Sequence, residues 1–297
     1  MTHIATNAFH IRICVLACGC RWRVMGGLTM VRSGVIVQLM GFLFAVFFCC
    51  ACATLSFEVP TNKFLVPESD GPAFSSRFGA GYGSTSKITV QNYGSLRQVP
   101  PDTSYGKVTP DDSLNIHLEM AVYQPIDLFV STIGTGVKVQ VLGDSVKEAK
   151  PGNRSLAFAF AGSGGTTTTN DSPVYTSGDS AVYSTSGKLD YDYREFMVLA
   201  GYRETENTLW YVNAGYMTIS AHGSITQTDS TAGSANKTDT IYEIPKKSGR
   251  QLSLLAGCQL STKHLYMILE PGFSQTSWSN ADTMRRFALG VIFGFKF

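Results

Sequence analysis

The sequence predicts an all-β chain: a transmembrane, antiparallel, up-and-down β-barrel of ten strands. Three observations lead there. Beyond residue 70, side-chain character alternates with a period of two over segments of about 8–14 residues, and no stretch keeps a helical 3.6-residue period. Only 15% of the residues are charged, whereas the chain carries 18 Phe and 13 Tyr, so polar surface is scarce for a chain of this size. In the last strand one face is uniformly large and apolar and the other is small or charged. A soluble sandwich would bury the large face and set polar groups, not glycines, on the other. A narrow barrel turns its large residues toward lipid and keeps small or paired polar ones inside.

Successive strand side chains point to opposite faces, so each segment divides into an outer and an inner set. From the amino-terminal side, the strand at 75–84 sets Phe78, Ala80 and Tyr82 against Arg77 and a run of glycines. At 113–123, Leu114, Ile116, Leu118, Met120 and Val122 oppose Asn115, His117 and Glu119. The segment 128–133 alternates weakly. At 136–142, three valines oppose Lys138 and Gln140. At 155–162, Leu156, Phe158 and Phe160 oppose small residues. At 188–203, Phe196, Val198, Ala200 and Tyr202 oppose Glu195, Gly201 and Arg203. The strand at 208–220 carries Trp210, Val212, Ala214 and Tyr216 outside. At 250–260, Leu252, Leu254, Ala256, Cys258 and Leu260 are outside, with Leu255 an apolar exception inside. At 264–276, Leu265, Met267, Leu269 and Phe273 oppose His264, Tyr266, Glu270 and Ser274. The final strand alternates Phe287, Leu289, Val291, Phe293, Phe295 and Phe297 with Arg286, Ala288, Gly290, Gly294 and Lys296, Ile292 being its inward exception.

Ten strands put both barrel ends on one side. An eight-strand alternative fuses 127–142 into one strand and leaves 155–162 as loop. The connections expected on one side are short, at 124–126, 204–207 and 261–263, with a longer one at 143–154. Those expected on the other side include long Ser-, Thr-, Gly- and Asn-rich stretches at 91–112, 163–187 and 221–240, and tight turns near Gly134–Gly136 and Ser279–Asp282. Tyr202 and Trp210 sit near strand ends, where an aromatic girdle would meet the lipid boundary.

The closing residues Phe293, Phe295 and Phe297 resemble the terminal signature of Gram-negative outer-membrane β-barrel proteins, whose last strand alternates aromatics and ends in Phe. The resemblance implies an outer-membrane location, outer-membrane lipid as surroundings, and recognition of that signature by the barrel-insertion machinery.

A leader is expected ahead of the barrel. Residues 34–57 are apolar or small apart from Gln38, and Arg32 precedes them, which is the order of a secretory signal. Translation starting at Met30 would make residues 1–29 an upstream extension, residues 30–52 the leader, and residues 53–74 an amino-terminal periplasmic segment before a barrel at 75–297. Ala51-Cys52 resembles a lipoprotein cleavage site, with Cys52 lipidated, although Cys49 is a poor match for the aliphatic residue such sites carry. Ordinary cleavage near 51–57 and an uncleaved membrane helix remain open. Six of the 7 cysteines precede residue 53, so the body, with Cys258 alone, has no disulfide framework, and no metal or cofactor site is expected.

Chemistry, if any, lies in the inward set: Arg77, His117, Glu119, Lys138, Glu195, Arg203, Glu270 and Arg286. In a narrow lumen such charges must pair or meet water. A structural network that fills the interior is one reading, and a narrow polar channel for ions or small solutes is the other. An enzyme acting on lipid or peptide has weaker footing. His117 beside Glu119, His222 between Ser220 and Ser224, and the pair Asp190 and Asp192 match no catalytic motif, so no catalytic residue is expected. A net charge of +2 gives no basis for nucleic-acid binding. The expected role is structural or surface-interacting, with an extracellular partner that the sequence does not name.

Overall fold

The computed structural model of the protein describes residues 54–92, 100–175, 181–231 and 237–297. The expected leader, Cys52 included, lies outside the described residues. The strands are β1 (Leu55–Pro60), β2 (Ser76–Gln91), β3 (Lys107–Tyr123), β4 (Ile126–Ser131), β5 (Gly134–Leu142), β6 (Arg154–Tyr175), β7 (Ala181–Arg203), β8 (Thr208–Thr231), β9 (Lys237–Ser261), β10 (Leu265–Trp278) and β11 (Met284–Lys296). From β2 to β11 each strand pairs with the next in sequence, and β11 returns to β2 through Val291–Lys296 against Tyr82–Arg77. Ten strands therefore close a ring, and the eight-strand alternative is excluded. The weakly alternating segment forms β4, whose turn falls at Thr132–Ile133, slightly earlier than expected. Gly134 follows it with φ of 99°, a left-handed conformation that a side chain resists.

Two differences from the sequence reading matter. First, two of the three stretches expected to be long outer loops, 163–187 and 221–240, are strand over most of their described residues, while 100–106 stays outside the strands as expected. β6 to β9 run 22 to 25 residues, far beyond the 9–11 or so that cross a bilayer. Their threonines are β-branched and suit a pleated surface, so low complexity concealed regular structure. Second, of residues 53–74, expected to precede the barrel in the periplasm, Thr54–Gly71 run through its interior, and Pro72, Ala73 and Phe74 emerge exposed at the turn end. β1 pairs antiparallel with the outer part of β2, Leu55 opposite Gln91 and Pro60 opposite Thr85. The chain thus lies at the loop end at Leu55 and descends, reaching the turn end where Phe74 N–H donates to Ala121 O at 2.7 Å.

The ring has two halves of opposite polarity, and β7 displays both. From Ser184 to Arg203 its even-numbered residues face outward and its odd-numbered ones inward. Toward the turn end, Phe196, Ala200 and Tyr202 are exposed while Glu195, Met197 and Arg203 are buried. Toward the loop end, Lys188 and Asp192 face out while Leu189 and Tyr193 are buried. The outer apolar belt continues through Trp210, Val212 and Tyr216 on β8, Leu252 and Leu254 on β9, Leu269 and Phe273 on β10, and Phe287, Leu289 and Phe293 on β11. Tyr202 and Trp210 are register partners at its turn-side edge.

Above the belt the strands enclose a dry core. Leu55, Phe57 and Val59 of β1, with Ile88 and Val90 of β2, pack against Leu189, Met217, Ile219, Ile225, Ile244 and Trp278. Phe57 stacks on Tyr191 with ring centroids 4.6 Å apart and meets Trp278 edge-on at 5.8 Å. Here β1 and the outer parts of β2 and β3 form one sheet, and the outer parts of β6 to β9 form the opposing one. The outer half is built as a β-sandwich with its apolar side inward.

Candidate functional site: a plugged lumen

In the belt half, the lumen holds residues 61–70. Asn62, Lys63, Phe64, Leu65, Val66, Glu68 and Ser69 are all essentially inaccessible to solvent. The wall is shaped to receive them. A Cβ on Gly290 would lie 2.5 Å from the Phe64 ring, and one on Gly201 would lie 2.6 Å from Pro67, so a side chain at either position would collide with the segment. Ile292, the inward exception on the last strand, packs with Phe64, Val66, Tyr211 and Tyr266, and Leu65 packs with Phe129, Met197 and Leu199.

Most charges of the wall and of the segment pair with one another, and Glu270 is held by neutral donors instead. Near the turn end, Glu119 is the hub. It accepts from Arg77 Nε at 3.0 Å and lies 3.1 Å from His117 Nε2, and Lys138 also contacts it. Lys138 Nζ reaches Asp127 at 3.0 Å and donates to the carbonyls of Val66 and Glu68 at 3.0 and 2.8 Å. Asp70 of the segment lies 3.5 Å from Arg77. Across the lumen, Arg203 Nε donates to Glu68 Oε1 at 3.0 Å and its Nη2 bonds the other oxygen, a bidentate fork. Lys63 Nζ lies 3.0 Å from Glu195 and donates to Pro60 O at 2.7 Å. Glu270 accepts the backbone N–H groups of Lys63 and Phe64 at 2.8 and 3.2 Å through one oxygen, and the Tyr211 hydroxyl at 3.0 Å through the other. Isolated charges at this depth would cost many kcal/mol, and pairing with further hydrogen bonds is what makes their burial tolerable.

Seven residues of the inward set thus meet either one another or the threaded segment. Arg286 does not. It stands at a seam nearer the loop end, where β11 and β2 have parted, and donates to Thr85 O and Asp111 O at 2.6 and 2.7 Å and to Asp112 at 2.9 Å. Its role is to span the gap that pairing leaves open above Tyr82. The sequence reading missed Asn62, Lys63, Glu68, Asp70 and Asp127. A signal for the first four exists in retrospect: charges of both signs placed among apolar residues in TNKFLVPESD suit a buried, paired segment better than a solvated linker. The carboxylates weighed for catalysis sit on the outer half with ordinary partners. Asp190 accepts from Thr166 at 2.5 Å, and Asp192 accepts from Ser220 at 2.5 Å.

No family model matches this chain, and no curated protein matches it. Among solved structures the chain is similar to Ail, the attachment invasion locus protein of Yersinia pestis, at 12% identity and a TM-score of 0.29, covering 76% of this chain and 99% of that one. The complex of Ail with the heparin analogue sucrose octasulfate matches at 11% identity, with the same TM-score and coverage. The outer membrane channel DcaP of Acinetobacter baumannii is similar at 10% identity and a TM-score of 0.19, covering 78% of this chain and 100% of that one. These values describe remote likeness, and no role for this chain is drawn from them.

Proposed function

We propose that this protein is an outer-membrane barrel with a structural or surface-interaction role, whose lumen is closed and whose loop-end β-sandwich is presented to the exterior. The observation that carries this reading is the threading of residues 61–70 through the belt half, tied to the wall by Lys63–Glu195, Glu68–Arg203 and the Glu119 hub. The apolar belt supports lipid as the surroundings, and the sandwich, polar outside and dry inside, supports a rigid display platform. Phe293 and Phe295 of β11 and the Phe297 that follows it are exposed on the outer face, the side an insertion signature would need, and the insertion machinery is the partner we assign to them.

Planar-bilayer recording tests closure. The full chain should give no conductance steps above background, while Lys63→Glu, which sets two carboxylates against each other, should give intermittent steps. Steady steps from the unaltered chain would overturn the closed-lumen reading in favour of a narrow channel. Heat-modifiable gel migration of membrane-extracted protein tests the barrel in lipid independently.

A further inference from the structure

The boundary between the two halves carries a feature that neither the plug nor the sandwich uses. On the lipid-facing wall, Arg194 of β7, Thr218 of β8, Arg250 of β9 and Ser277 of β10 are consecutive register partners, forming one cross-strand row. The row directly below is Phe196, Tyr216, Leu252 and Gln275, the upper edge of the apolar belt. With neighbouring strands ~4.8 Å apart, the two arginine backbones are about 10 Å apart with Thr218 between them, close enough for both guanidinium groups to converge on one group above it. The wall is concave here: Arg194, Arg250, Lys246, Thr218 and Ser277 help to line a depression of about 680 Å³. Neither arginine, nor Lys246, has an ion-pair partner among the described residues. The depression's carboxylate, Asp192, is engaged by the Ser220 hydroxyl. Arg285, further round the rim, is by contrast already bonded to Gln275 at 3.0 Å.

We infer that this row binds the phosphorylated headgroup of a lipid in the leaflet on the loop side. Cations immediately above an apolar belt stand at the height where a lipid's phosphate meets its acyl chains. Guanidinium forks match phosphate oxygens bidentately, and the hydroxyls of Thr218 and Ser277, bonded to Arg194 O and to the Thr283 hydroxyl, keep the row between and beside them polar. Phe196, Tyr216 and Leu252 beneath provide contact for the chains of the same molecule, which a free phosphate could not use. The depression opens on the barrel's outer wall directly above Phe196, Tyr216 and Leu252, so a lipid lying against the belt is the occupant that reaches both.

The inference rests on the barrel standing in lipid, so the full chain is first checked for heat-modifiable migration; its loss would defeat that reading and this one together. Native mass spectrometry of the folded chain in detergent then compares bisphosphorylated lipid A with the same lipid stripped of phosphate, and inorganic phosphate serves as competitor. The phosphorylated lipid should be retained about ten-fold or more over the stripped form. Arg194→Gln with Arg250→Gln should abolish that preference while migration stays heat-modifiable, and Lys188→Gln, a cation off the row, should leave it intact. Equal retention of both lipids by the unaltered chain, an unchanged preference in the double variant, or complete displacement by inorganic phosphate would each overturn the proposal. The first of these outcomes needs no variant to fold.

Discussion

The two halves of the barrel solve opposite problems with the same ten strands. In the belt half the outside is apolar and the inside carries paired charges. In the loop-end half the outside is polar and the inside is a dry cluster around Phe57, Leu189 and Ile225. β7 keeps its parity through both, with even-numbered side chains facing outward at Lys188 and at Tyr202 alike, whereas β2 and β9 switch, burying Arg77 below and Ile88 above on β2, and Gln251 below and Ile244 above on β9. What changes is the solvent. Apolar burial drives the outer half together, as in any water-soluble sandwich. In the outer-membrane reading proposed above, burial of the belt half's outer apolar face cannot drive it together, so there ion pairs and hydrogen bonds act beside the small apolar clusters around Leu65 and Phe64 in specifying how the interior is filled. The amino-terminal segment joins the two regimes, contributing apolar Leu55, Phe57 and Val59 to one and Lys63, Glu68 and Asp70 to the other.

The sharpest way to break this contrast is to remove a charge from the belt half. Glu119→Ala leaves Arg77 and Lys138 facing one another without their shared carboxylate, and should cost about 3–5 kcal/mol or more, read as a drop in the urea midpoint of the folded barrel. Phe57→Ala removes the central ring of the outer core and should cost about 3–5 kcal/mol. The loss should be confined to the outer half, so that limited proteolysis cuts there while migration remains heat-modifiable. Gly290→Val should be milder, about 1–3 kcal/mol of overpacking against Phe64, and hydrogen exchange should show residues 61–70 losing protection before the wall does. The smallest effect tests the electrostatic account directly. Lys63→Met alone strands Glu195, whereas Lys63→Met with Glu195→Met removes both charges and should fall within about 1 kcal/mol of the unaltered chain. A double variant as unstable as the single one would show that the pair is not the relevant unit.

Much of this architecture was legible because a membrane strand carries its environment in its alternation. Phe293, Phe295 and Phe297 set the outward face of β11, and that parity propagated through the strands to Phe78. Seven of the inward charges read from it meet partners in the lumen. The eighth, Arg286, has inward parity too, but the parting of β11 from β2 leaves it bridging a seam instead. The outer half was misread for a physical reason: its outward threonines and serines look like loop material, and the inward Leu189, Met217, Ile219 and Ile225 are too dispersed in sequence to declare a core. Yet the change from Lys188, Asp190, Asp192 and Arg194 to Phe196, Val198, Ala200 and Tyr202 on one face marks the boundary within a single strand.

The sequence by itself indicated which side of each belt strand faces outward and most of the wall charges that point inward, since both follow from a local period of two; it left ten strands against eight open and gave no sign of β1. Only the tertiary structure decided what those charges meet. The partner of Arg203 is 135 residues away at Glu68, and that of Glu195 is Lys63. Local alternation is blind to such a pairing, because it depends on a segment with little alternation of its own being drawn into the ring and held there.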